Sequence, residues 1–214
     1  MNRRALLMMC AFAIAVSGCA KDTNLLDNFK RPSPIPPGDS VNCRLLANDV
    51  DLHGCDLQGI KIFEGNLFNA NLSGANLSGA TLRSVDLRFA NLVGADLSGA
   101  DLRSANLHGA DLTGAKLVGA DLHDADLHGA TLINADMRAV FLDRAIMFYA
   151  VLDGADLTGC RMEDVNMYRA SLKNVRMRNC FMRGAYLMGA DITGADTSGS
   201  DLHFVVMPDG SIRQ

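Results

Sequence analysis

The 214-residue chain contains no tryptophan, and aromatic residues make up only 6% of it. Any core must therefore be assembled from aliphatic side chains rather than large rings. Charge of either sign is modest: 24 acidic against 20 basic residues leave a formal net charge of −4. That total gives no electrostatic case for a nucleic acid or an anionic membrane surface. Proline is scarce as well, and four of the five residues, Pro32, Pro34, Pro36 and Pro37, fall in one short stretch. The 20 glycines do not recur every third residue, which excludes collagen, and a hydrophobic content of 49% excludes a chain too polar to fold. There is no phosphate-binding glycine loop, HExxH or nucleophile elbow, and no CxxC pair that would argue for structural zinc.

The N-terminus reads as an address. Arg3 and Arg4 precede Ala5–Val16, an uncharged apolar stretch too short to span a bilayer as a helix and typical of a secretory leader. It ends in Val16, Ser17, Gly18 and Cys19, which resembles the lipobox of bacterial lipoproteins. That resemblance implies a signal peptide over 1–18, cleavage before Cys19, and acylation of the Cys19 thiol and amine. The attached chains would be the contact with the membrane. Ala20 in place of aspartate is similar to the enteric pattern for outer-membrane export, so the expected location is the cell envelope, lipid-anchored, at the outer membrane and facing the periplasm. Processing would remove Arg3 and Arg4 and leave a mature charge of −6. Residues 19–42 are then a lipidated cysteine and a proline-rich, semi-rigid tether.

The rest of the chain repeats every five residues. From Leu52 to Leu202, 31 positions five apart hold 22 Leu, six Met, two Ile and one Thr, Thr197. Two residues before each, a second series from Val50 to Ser200 holds 20 Ala and five Val among small residues, with no insertion. A period of five fits neither a helix nor a simple strand. With the chain locally extended, both series face one side and the remaining three residues turn outward. Glycine fills the second position after the aliphatic residue in 16 repeats, as a turn requires. One such coil buries nothing, so the coils must stack.

Segments such as Ala95-Asp96-Leu97-Ser98-Gly99 and Ala110-Asp111-Leu112-Thr113-Gly114 resemble the pentapeptide-repeat family, A(D/N)LXX. The resemblance implies an all-β fold, a right-handed quadrilateral β-helix of about eight coils with four repeats per coil. Such a rod would be ~37 Å long at ~4.8 Å per coil. The solenoid with its N-terminal cap is expected over 43–204, and a cap strand and tail over 205–214.

Residues twenty apart should stack in columns. Ile146, Phe148, Tyr149, Tyr168, Tyr186 and Met188 then occupy outward phases of one face, with Phe141 and Phe181 outward on the adjacent one. Aromatics placed outside mark these eight as a candidate interaction patch for a protein partner or a second copy. Residues 137–187 carry eight basic and five acidic side chains, so Arg138, Arg161, Arg169, Lys173, Arg176 and Arg178 are expected to rim it. Arg83, Arg88, Arg103, His108, His123 and His128 are expected to share one edge. Imidazoles suit Zn and Cu, but their spacing is set by the repeat and Asp101, Asp121 and Asp126 lie beside them. The edge is read as a salt-bridged surface, with no metal and no cofactor. Cys55, Cys160 and Cys180 take small inward positions and are expected to be buried free thiols. Cys43 and Cys55 are the candidate disulfide, because stacked Cys160 and Cys180 carry parallel Cβ vectors.

These features point to a non-catalytic envelope scaffold, since a close-packed aliphatic rod offers no pocket for an enzyme. The family resemblance also implies an alternative, a DNA mimic that binds DNA gyrase. Mimicry needs a dense negative face and access to the cytoplasm. The modest charge and the leader argue against it, and no nucleic-acid partner is expected.

Overall fold

The computed structural model describes residues 48–214. The leader, the tether, Cys19 and Cys43 lie outside the described residues. Every fifth residue from Asp51 to Tyr186 forms a parallel bridge with the residue twenty positions later, without a gap. The chain is thus a four-sided solenoid with twenty residues, or four pentapeptides, per turn. Its faces are numbered here in chain order: face 1 recurs every twenty residues from Asp51, face 2 from Asp56, face 3 from Lys61 and face 4 from Asn66.

Each pentapeptide closes by the same local chemistry. Ala95 donates its N–H to the carbonyl of Leu92 at 3.0 Å, closing the corner, and the residue between, Gly94, has φ 65°. The Asp or Asn after each small residue is an Asx turn: Asp96 Oδ1 accepts the N–H of Ser98 at 3.0 Å, and Asp111 Oδ1 that of Thr113 at 3.0 Å. Hydrogen bonds from Ser98 lower the Asp96 carboxyl pKa, and at Asp196 those from Ser198, with the Arg178 guanidinium, hold it at about 2. Between coils, Leu97 donates to the carbonyl of Lys116 at 2.7 Å, and Asp96 to that of Ala75 at 2.9 Å. The extended groups of the inner coils are therefore paired with the coils above and below, as buried backbone requires.

The interior holds the two columns the period demands, Leu or Met and Ala or Val, fully buried from coil to coil. Every corner residue from Gly54 to Phe204 has positive φ, whether or not it is glycine. We expect Gly114→Ala to cost about 1 kcal/mol in a urea titration, because a Cβ in that conformation is strained. At Gly184, where the added Cβ would meet the Asp164 carboxylate as well, the loss should be larger.

Two findings depart from the sequence reading. Cys160 and Cys180 are not free thiols: they form a disulfide between adjacent coils, with Cα atoms 4.7 Å apart. That separation lies within the ordinary range for a bridge, so stacked Cβ vectors do not prevent one. Cys55 is also disulfide-bonded, and the expected pairing with Cys43 falls outside the described residues. The terminal coil is incompletely covered. Ile192, Ala195 and Leu202 are only half-buried there, which is why Thr197 and Ser200 stand at inward positions. Ser200 Oγ donates to the Met177 carbonyl and accepts the N–H of Cys180, replacing a corner bond with a side chain. Past it, Val206 pairs antiparallel with Ile212 and Met207 donates to the Ser211 carbonyl at 2.7 Å, folding the tail over Val205. Among the described residues, no helix is long and apolar enough to cross a membrane.

Candidate interaction face

A four-sided rod with a uniform interior can differ only on its surface, and here the faces differ sharply. At the corners that follow faces 1 and 2, twelve of sixteen residues from Gly54 to Gly199 are glycine; at those following faces 3 and 4, four of fifteen are. Faces 1 and 2 are thus bare at their edges, while the other two carry side chains there. Three of these are Phe89, Tyr149 and Phe204, bulky rings held at φ 57°, 56° and 61°. Such residues cost roughly 1–3 kcal/mol each and cluster where a surface has a task. Eight of the ten exposed large apolar residues lie on faces 3 and 4 or their corners.

On face 4 the rings form one continuous ladder. Phe68 meets Phe89 with centroids 5.7 Å apart, Phe89 meets His108 at 5.4 Å, and His108 meets His128 at 4.9 Å. His128 then contacts Phe148 at 5.8 Å and Tyr149 at 5.9 Å. Tyr149 continues to Tyr168 at 6.0 Å, and Tyr168 to Tyr186 at 6.3 Å. Tyr186 Oη reaches Met188 Sδ at 2.9 Å. Most contacts are edge-to-face, the geometry that the ring quadrupole favours. Arg88 lies over Phe68 and Arg169 over Tyr168, with guanidinium carbons 5.4 and 5.2 Å from the ring centres.

The eight candidate residues fall where the columns place them. Ile146, Phe148, Tyr149, Tyr168, Tyr186 and Met188 are on face 4 or its corner, and Phe141 and Phe181 on face 3. Phe141, Ile146, Tyr149, Phe181 and Met188 are exposed, whereas Phe148, Tyr168 and Tyr186 are half-buried within the ladder. Sequence reasoning missed Phe68 and Phe89 at the other end. Sorting the corner residues by face, rather than counting glycines, would have found Phe89.

The expected basic rim separates. Arg138, Arg176 and Arg178 lie on face 2, Lys173 on face 1, Arg161 on face 3 and Arg169 at the corner after face 4. His108 and His128 join the ladder, while His123 on face 3 turns its Nδ1 towards Asp143 at 3.5 Å. No cluster of three metal-capable side chains exists among the described residues.

Face 3 carries a second feature. Phe141, Arg161 and Phe181 are stacked in successive coils and, with Ala139, Gly159 and Glu163, line a groove of about 430 Å³. Beside it Asp143 is buried despite its outward phase. Asp143 accepts the Glu163 N–H at 2.9 Å and pairs with Arg161 Nε at 2.7 Å, and Arg161 also meets Glu163 at 3.4 Å. The guanidinium is thereby compensated, and the groove presents two phenyl rings and little net charge.

The family model for pentapeptide repeats matches in eight copies, over residues 66–103, 105–144, 125–164 and 166–203. Among solved structures, HetL from Nostoc sp. strain PCC 7120, a pentapeptide repeat protein involved in heterocyst differentiation regulation, is 30% identical. That match covers 77% of this chain and 90% of HetL, with a TM-score of 0.39. A pentapeptide repeat protein of the Arabidopsis thaliana thylakoid lumen is 29% identical over 53% of this chain and 68% of that one, with a TM-score of 0.32. Full-length QnrB1, a plasmid-mediated fluoroquinolone resistance protein, is 19% identical over 71% and 90%, with a TM-score of 0.32. No curated protein matches the chain.

Proposed function

This chain belongs to the pentapeptide-repeat family, and from that premise we propose that it is a non-catalytic envelope scaffold. It is a right-handed β-helix of about eight coils, tethered through lipid on Cys19 at the outer membrane and facing the periplasm. Its aromatic side is offered to a protein partner or to a second copy. The observation that supports this reading is the placement of Phe89, Tyr149 and Phe204 at positive φ on one side of the rod. At those corners glycine satisfies the fold without strain, so the rings answer to a demand other than folding.

Two experiments test the two halves. In cells fed labelled palmitate, the native chain takes up label in the envelope fraction and Cys19→Ala does not. An unlabelled, soluble product would remove the tether. For the surface, the triple variant Phe148→Ser, Tyr149→Ser, Tyr168→Ser keeps its fold and loses the co-purifying partner or the self-association of the parent. Unchanged profiles would mean that the ladder is only side packing.

A further inference from the structure

We infer that the groove on face 3 takes up the chain's own proline-rich segment, residues 31–37, with Pro37 against Phe141 and Pro34 against Phe181. The inference goes beyond the scaffold reading, because it concerns face 3 and leaves face 4 to a partner. The segment reads Arg31, Pro32, Ser33, Pro34, Ile35, Pro36 and Pro37, a composition that favours polyproline II, in which every third side chain falls on one edge. Pro34 and Pro37 then stand ~9.3 Å apart at ~3.1 Å per residue. Phe141, Arg161 and Phe181 occupy successive coils, which sets the two phenyl rings ~9.6 Å apart at ~4.8 Å per coil. The two spacings agree, one proline to each ring. Arg161 between them completes the fit. Asp143 holds its Nε at 2.7 Å and Glu163 meets its Nη2 at 3.4 Å, yet the side chain stays half exposed. A guanidinium has five N–H donors, so some remain for a carbonyl between the two prolines, and polyproline II leaves its carbonyls unpaired. Aromatic-lined grooves take proline-rich segments in this way, at small ordering cost because the ligand is already extended.

Chain length fixes the direction. Asn48, the first described residue, precedes Phe68 by one turn on face 4, which borders face 3. From there Phe141 is ~25 Å away and Phe181 ~33 Å, counting ~4.8 Å per coil along the rod and ~10 Å across it. Eleven residues of chain lead from Pro37 to Asn48, and they extend ~36 Å at ~3.3 Å per residue. Pro37 thus reaches Phe141 with slack, and Phe181 only when the chain is almost fully drawn out. In the first arrangement the segment climbs the rod away from Asn48. Arg31 then arrives beyond Phe181, beside Asp201 of the next coil, whose partner in the structure is the His203 imidazole. A connection this short gives an effective concentration in the ~mM range, so even a contact of ~mM affinity is substantially occupied within the chain. For the scaffold the consequence is orientation. Residues 19–30 leave from the C-terminal end of the rod, and with lipid on Cys19 that end is the one nearest the membrane.

The test is photocross-linking of the full chain in cells, with p-benzoylphenylalanine in place of Phe181, a ring 57% exposed, and in a parallel sample in place of Val93, which is exposed on face 1. The expected product from position 181 keeps the mass of one chain and joins that position to residues 32–37, in at least fivefold higher yield than from position 93. Phe141→Ser and, separately, Pro34→Ala with Pro37→Ala should each lower that yield at least fivefold. Val93 is nearer the N-terminal end of the rod, so a segment with no preferred site meets it at least as often, and equal yields would overturn the proposal. A product of twice the mass in its place would put the segment on a second copy, and one joined to another protein would give the groove to a partner. Either overturns the proposal, as does the absence of any product. The serine triple variant on face 4 reads the scaffold separately, so either reading can fall while the other stands.

Discussion

Leu112→Ala is expected to lower the free energy of unfolding by about 3–4 kcal/mol, and Leu202→Ala by only about 1 kcal/mol, when both are measured by urea titration. The two leucines hold the same phase of the repeat, and the difference lies in what covers them. Leu112 is fully buried, with equivalent leucines stacked above and below it at Leu92 and Leu132. Removing three carbons there leaves a cavity between coils locked by backbone bonds, including Leu112 N–H to the Thr131 carbonyl at 2.7 Å. Those bonds keep the walls from closing, so the cavity cost adds to the lost transfer energy. Leu202 sits in the last coil, only half-buried, with no coil beyond it. Equal losses at the two sites would mean that the terminal coil is packed as tightly as the middle. A solenoid transmits such defects to nearest neighbours, so hydrogen exchange should rise first in the coils around Leu112.

The contrast shows what a sequence of this kind discloses. The five-residue phase alone assigns every inward position, because two buried residues per repeat leave no other way to stack. Asp143 is the exception: its phase points outward, yet Arg161 and the Glu163 N–H draw it in, an interaction between coils that no single repeat contains. The aromatic face was half legible. Columns twenty apart brought Phe148, Tyr168 and Met188 together, but the ladder also passes through corner residues such as Phe89 and Tyr149, and these lean one coil along the rod. The Phe89 ring lies over Gly109, a contact set by side-chain torsion rather than by register. The dispersal of the arginines has the same origin. A count over residues 137–187 averages all four faces, and charge along a solenoid acquires meaning only when sorted by side.

The second large effect concerns the bridge that the repeat conceals. Replacing Cys160 and Cys180 together by alanine is expected to lower stability by about 3 kcal/mol, the chain-entropy contribution of closing a loop of roughly twenty residues. Their sequence separation is 20, one full turn, so the bridge ties one coil to the next where backbone pairing already does so. Its contribution is therefore made mainly in the denatured chain, which it holds in a loop. Alanine is the suitable replacement because it is the commonest residue in that column and fits the space without strain. The double variant is a cleaner probe than a reductant, which would also open the bond at Cys55. Most of the added exchange should appear between Leu157 and Met182, and the coils near Leu77 should keep theirs. The readout that decides the matter is alkylation of the unfolded native protein without reductant. Protection at both positions, with a lowered midpoint in the double variant, is the expected pair of results. If both thiols are alkylated, the two cysteines are buried free thiols after all, and the variant should then lose no more than the small packing contribution of two sulfur atoms.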